Sequence, residues 1–130
     1  MKPPAKAGMA HLCLLHDKNL LNYIKEEAEL LLELTEGNDL QAFLDSELLK
    51  RTSCMTLINI GESVKSLSKE LKQENQDISW RFITGFRDIA AHGYQTLDMP
   101  QVWKTVTISV PELLEQIKGI LHAEETETEK

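Results

Sequence analysis

At 130 residues the chain is long enough for one domain with a core of its own, although a partner subunit would add to it. Hydrophobic residues make up 42% and charged residues 27%, a soluble globular balance, and with aromatics at 5% the core must be mostly Leu, Ile and Val. The formal net charge of −7 argues against a protein whose whole surface binds nucleic acid, while leaving room for a local basic pocket.

Taken in chain order, residues 1–10 read as a flexible leader, with Lys2, Pro3, Pro4, Lys6 and Gly8 and no apolar stretch like a secretory signal. No segment approaches membrane-spanning length, so a cytoplasmic protein without membrane contact is expected. Cys13 and Cys54 belong to no CxxC pair and are expected as reduced thiols. Strand signals are nearly absent. A first helix is predicted from about His11 to Thr35, where Leu21, Ile24, Ala28 and Leu31 form one apolar stripe. Gly37 suits a left-handed C-cap, and Asn38 with Gln41 predicts an N-cap for a short helix, Asp39 to about Leu44.

The second strong period, Leu57, Ile60, Val64, Leu67 and Leu71, predicts one central helix from about Ser46 to Gln73. Gly61 beside that stripe costs about 1 kcal/mol of helix propensity, and a close helix crossing is one reason to tolerate it. After the polar break Asn75–Ser79, a further helix is predicted from Ser79 to about His92, ended by Gly93. Gln95–Leu97 read as a loop. Asp98 then caps the next helix, with Pro100 in its first turn. Ser109-Val110-Pro111-Glu112 is a second start signal, and Pro111 predicts a kink or break near Ser109. Val110, Leu113, Ile117 and Ile120 carry the last stripe. Residues 11–122 are thus expected to form an all-α, up-and-down bundle of four to five main helices, followed by an acidic tail, 123–130.

There is no Gly-rich phosphate loop, no HExxH and no Cys/His cluster with zinc spacing, so no cofactor and no metal are expected. The most chemical stretch is Gly85-Phe86-Arg87-Asp88-Ile89-Ala90-Ala91-His92-Gly93-Tyr94. Imidazole suits proton transfer near neutral pH, and a guanidinium is a permanent fork of donors to phosphate. On an ideal helix Arg87 and His92 stand roughly 140° apart, so they share no face, whereas Asp88 and His92 do. A joint site therefore needs a frayed helix end, a long reach by Arg87, or a cleft between two copies of the chain. Spacing alone reads as easily as a salt-bridged Arg87 and a polar helix-end His92. Tyr94 is as easily an anchoring aromatic, and Trp80 and Trp103 are expected in helix-junction packing. His11, His16 and His122 have no partner motif and are expected to face solvent, and Glu62 and Lys65 to form a surface or interface ion pair.

Several stretches together carry a resemblance. They are Ile60-Gly61-Glu62-Ser63-Val64-Lys65-Ser66-Leu67-Ser68, Ile78-Ser79-Trp80, the run 85–94, Val102-Trp103-Lys104-Thr105-Val106 and Pro111-Glu112-Leu113. Leu34-Thr35-Glu36-Gly37 followed by Phe43-Leu44 fits the first hairpin. From roughly Asp17 to Leu121 the chain closely resembles the HepT-like proteins of the HEPN superfamily, although Met1 to His16 is longer than their usual start. The resemblance implies a HEPN bundle and a homodimer whose RxxxxH segments face a shared cleft. It implies a toxin of a toxin–antitoxin module, acting on RNA as a metal-independent endoribonuclease with Arg87 and His92 as the catalytic pair and Asp88 as the polar neighbour. It further implies that Tyr94 is the tyrosine to which a MntA-like nucleotidyltransferase antitoxin transfers AMP. Bulk and negative charge placed there would repel an RNA phosphate. Two other readings stay open: a non-catalytic scaffold partner of a minimal nucleotidyltransferase, suggested by the acidic charge, and a nucleotide-binding domain.

Overall fold

The computed structural model describes residues 7–81, 83–85 and 93–128, and the side chains of those between 15 and 123. Helix α1 (Ala7–Thr35) is followed by α2 (Leu40–Asp45), α3 (Glu47–Lys65) and α4 (Lys69–Glu74). Residues 80–81 and 83–85 are helical, Tyr94–Thr96 form a 3₁₀ turn, and a last continuous helix comprises α5 (Met99–Lys104), a π-helical turn (Thr105–Ser109) and α6 (Val110–Thr128). Among the described residues there is no strand, and no helix is long and apolar enough to cross a membrane. The all-α bundle expected from periodicity is what the chain forms.

The bundle is organised by α1, which packs against both α3 and α6. Its predicted stripe of Leu21, Ile24, Ala28 and Leu31 is completely buried. It meets Leu57, Ile60 and Val64 of α3, and Val110, Leu113 and Ile117 of α6, in one continuous core. In α6 the buried stripe is wider than expected. Leu114 and Leu121 join it, while Ile120 is only partly buried. Phe43 of α2 is fully buried with its ring centroid 4.9 Å from that of Trp103, so α2 is riveted between α3 and α5. An aromatic pair of this kind adds about 0.5–1.5 kcal/mol to its area burial.

The corners follow short-range chemistry, with corrections to the sequence reading. The first helix begins at Ala7 rather than near His11. Gly37 ends the α1 turn at φ +79°, as its position predicts. The N-cap of α2 is Asp39, not Asn38: the Asp39 carboxylate accepts from Ala42 N at 2.9 Å. Asn38 instead turns back, its amide donating to the Thr35 and Glu36 carbonyls and covering the open end of α1.

The expected single helix 46–73 is broken after Lys65. Ser68 N–H donates to Asp17 Oδ1 at 2.9 Å, and its hydroxyl donates to Asp17 Oδ2 at 2.5 Å while accepting from Leu71 N to cap α4. Asp17 is buried on α1, so a contact across the bundle overrides a helical period that continues through Leu67 and Leu71. Pro111 does not break the last helix either. Its missing N–H and its clash with the carbonyl four residues back are absorbed by the wider π turn just before it, where Val110 N–H reaches the Thr105 carbonyl. Thr105 and Thr107 hydroxyls donate to the Gln101 and Trp103 carbonyls and support the same turn.

Replacing Asp17 by Ala should lower unfolding free energy in urea by about 1–3 kcal/mol, because a buried, hydrogen-bonded acceptor is lost. Ser68→Ala on that background should cost much less than on the native chain. Additive losses would mean that the two residues do not act as one junction.

Candidate functional site

Arg87, Asp88 and His92 lie outside the described residues. Both flanks of their segment are described. On the entering side, Trp80 is buried and its indole N–H donates to the Asn75 carbonyl at 3.0 Å, while Ile83 N–H donates to the Ser79 carbonyl. On the leaving side, Gly93 sits at φ +118°, a conformation that L side chains rarely adopt. The chain then enters the 3₁₀ turn at Tyr94, closed by Thr96 N–H and Thr96 hydroxyl on the Gly93 carbonyl. This turn replaces the expected loop.

Tyr94 is tied to the N-terminus of α3, 47 residues earlier. Its phenol donates to Glu47 Oε2 at 3.1 Å, and the Arg51 guanidinium lies 4.5 Å from its ring centroid. Glu47 also receives Lys50 Nζ on Oε1 at 2.9 Å and Arg51 Nε on Oε2 at 3.2 Å. Three donors therefore meet on one carboxylate. The local sequence builds this directly. Ser46 caps α3 through Leu49 N–H, so Glu47 falls in the first turn, where a carboxylate is favoured by the helix dipole. Lys50 and Arg51, three and four residues on, share its face.

The Lys50 hydrogen bond holds the Glu47 carboxyl below its ordinary range, with the Tyr94 bond a second cause. The Lys50 ammonium is raised, first by its bond to Glu47, with a weaker pull from Asp45. Partial burial, then the bond to Glu47, raises the Tyr94 phenol. Tyr94 thus stays a protonated donor at neutral pH. The sequence reading gave Tyr94 as an anchoring aromatic or, by resemblance, a modification site, and missed its partners. The available signal was the charge pattern Glu47, Lys50, Arg51 behind the Ser46 cap.

Other marked residues are placed apart from this cluster. Trp80 and Trp103 serve in packing, as expected. His16 and His122 are exposed, while the side chain of His11 lies outside the described residues. Glu62 and Lys65 are exposed on α3. Cys54 is buried, and desolvation pushes its thiol up to about 11, so it is a poor nucleophile. A separate open groove of about 660 Å³ runs between α1 and the π turn. Its Leu32, Trp103 and Val106 floor is rimmed by Glu29, Glu33 and Glu36, and it shares no residue with the Tyr94 cluster.

Against this geometry, the ribonuclease HepT-like family profile matches residues 24–120, from α1 to α6 and across the whole 85–94 run. The chain belongs to the ribonuclease HepT-like family. Its enzymatic class is that of an endoribonuclease. The HepT-like chain is 35% identical over 104 residues to a Caldanaerobacter subterraneus subsp. tengcongensis protein named "Putative RNase TTE0752", covering 80% of this chain and 93% of the relative. It is 31% identical over 96 residues to "Probable ribonuclease HepT" of Thermococcus cleftensis, covering 74% and 87%. No solved structure matches it significantly.

The tie to Glu47 gives a pH signature. Stabilisation of the neutral Tyr94 phenol is complete below the ordinary tyrosine pKa and is lost as pH rises through the raised value. In a Tyr23→Phe background Tyr94 is the one tyrosine left, and its phenolate absorbance should appear above the ordinary range. Glu47→Gln should lower that midpoint, since the carboxylate no longer opposes ionisation while Lys50 and Arg51 favour it.

Proposed function

We propose that this HepT-like chain is the toxin of a HepT/MntA-type toxin–antitoxin module, a metal-independent endoribonuclease whose catalytic pair is Arg87 and His92. The observation that supports this reading is a family match whose bounds, residues 24–120, enclose the RxxxxH-x-Tyr run. RNA brings its own nucleophile. The 2′ oxygen attacks phosphorus as its proton passes to an imidazole, and the bond to the 5′ oxygen breaks as that oxygen takes a proton from an acid. A 2′,3′-cyclic phosphate and a 5′ hydroxyl result. Arg87 neutralises the charge that builds on the phosphate oxygens. Asp88, four residues before His92, orients the imidazole. A homodimer supplies two His92 side chains to one cleft, one as base and one as acid.

In this reading the antitoxin transfers AMP from ATP to Tyr94. The phenol oxygen attacks the α-phosphorus and pyrophosphate leaves. The raised pKa of Tyr94 supports the need for a partner enzyme, because the phenol at rest keeps its proton. The adduct places bulk and negative charge two residues from His92, where an RNA phosphate must enter.

Arg87→Ala and His92→Ala should each lower RNA cleavage by at least about 100-fold, the usual scale for a lost proton-transfer or charge-stabilising group, while dimer elution is unchanged. Cleavage by the native chain should persist in EDTA. Two variants as active as the native chain would falsify the site assignment. An RNA-inert native chain that still binds a minimal nucleotidyltransferase tightly would favour the scaffold reading. Co-expressed with such an enzyme, the native chain should gain AMP in intact mass, and Tyr94→Phe should not.

A further inference from the structure

The cluster around Tyr94 has the donor set of a phosphate site with a carboxylate sitting in it. A Lys ammonium, an Arg guanidinium and a phenol O–H converge on Glu47 within 2.9–3.2 Å. A phosphate oxygen pair makes the same demands as a carboxylate, and Arg and Lys serve both. The occupant is exchangeable by its exposure. The Glu47 side chain is 62% exposed and that of Arg51 67%, whereas Lys50 is 16% exposed and fixed against the protein. Arg51 is further held in place by the Tyr94 ring. Two cations face one anion, so expelling Glu47 leaves a net positive cradle on an otherwise acidic chain. Two peptide units, a span of at most ~7.6 Å between α-carbons, separate Tyr94 from His92. The acidic groove between α1 and the π turn would repel the same ligand.

We propose that Lys50, Arg51 and the Tyr94 hydroxyl form a subsite for a backbone phosphate of the RNA strand, which Glu47 occupies until RNA displaces it. The proposal rests on RNA being the substrate. It adds that Glu47 is a built-in competitor and that the bond to Tyr94 is broken when RNA binds. The signs of the mutational effects follow. Removing either cation weakens RNA binding, while removing the carboxylate charge strengthens it.

The test is fluorescence anisotropy of a single-stranded 2′-O-methyl RNA oligonucleotide, which binds but offers no 2′-OH for attack, titrated at several salt concentrations. Lys50→Ala and Arg51→Ala should each weaken binding several-fold, and the double variant should reduce the salt slope by about 0.7, the value for one phosphate contact on a single strand. Glu47→Gln, which keeps the side chain's size and acceptor oxygen, should tighten binding several-fold. Lys118→Ala, on α6 and paired with Glu115, removes one positive charge elsewhere and should leave the slope unchanged. The proposal is overturned if Glu47→Gln leaves binding unchanged or weakens it, if Lys50→Ala and Arg51→Ala behave as Lys118→Ala does, or if the native chain binds no oligonucleotide. Cleavage of ordinary RNA by the same variants separates the two readings. Loss of activity in Arg87→Ala and His92→Ala with silent cradle variants sinks the subsite alone. The expected binding shifts in a chain that cleaves no RNA sink the catalytic reading alone.

Discussion

One face of α1 sets the frame on which everything else hangs. Leu21, Ile24, Ala28 and Leu31 are wholly buried, and they are buried against two helices at once. Full burial of such side chains is worth roughly 1.5–3 kcal/mol each for the larger ones. That stripe fixes α3 and α6 relative to each other through a shared neighbour. Once α3 is placed, its first turn is a fixed platform, and Tyr94 docks on it. The docking is polar and exposed, so it adds little to stability. It sets the position of Tyr94, the second residue after the RxxxxH segment.

Much of the fold was legible because it depends on period and caps. The three stripes, the Gly37 and Gly93 turns, the Ser46 start and the Asp98 cap with Pro100 behind it are local features. What escaped was non-local. Asp17 stops α3 from continuing into α4, and no pattern in Ser66-Leu67-Ser68 announces a buried carboxylate 51 residues away. The shift of the cap from Asn38 to Asp39 has the opposite cause. Two adjacent residues have equivalent capping chemistry, and the geometry of the α1 exit decides between them.

The site divides in the same way. The run 85–94 stands out in the sequence because its residue types are chemical, and it lies within the bounds of the family match. Glu47, Lys50 and Arg51 look like an ordinary helix-surface ion-pair pattern until the fold sets Tyr94 against them. A net charge of −7 likewise says little about how charge is distributed over the surface. The acidic residues Glu29, Glu33 and Glu36 gather on a different groove, and two of the cations stand beside the tyrosine.

The π turn at Thr105–Ser109 has a consequence for the length of this chain as distinct from its composition. A π turn contains one residue more than the α turn it replaces. Deleting a single residue there would close an ordinary α turn and keep the facing of everything after it, because the π turn already absorbs the extra residue. Val110, Leu113 and Ile117 would stay on the core face, but Pro111 would meet the carbonyl four residues back that the wider turn spares it, whereas an insertion would rotate all of them by about 100°. This stretch should therefore tolerate changes of residue at its exposed positions, such as Ile108, far better than insertion or loss of one.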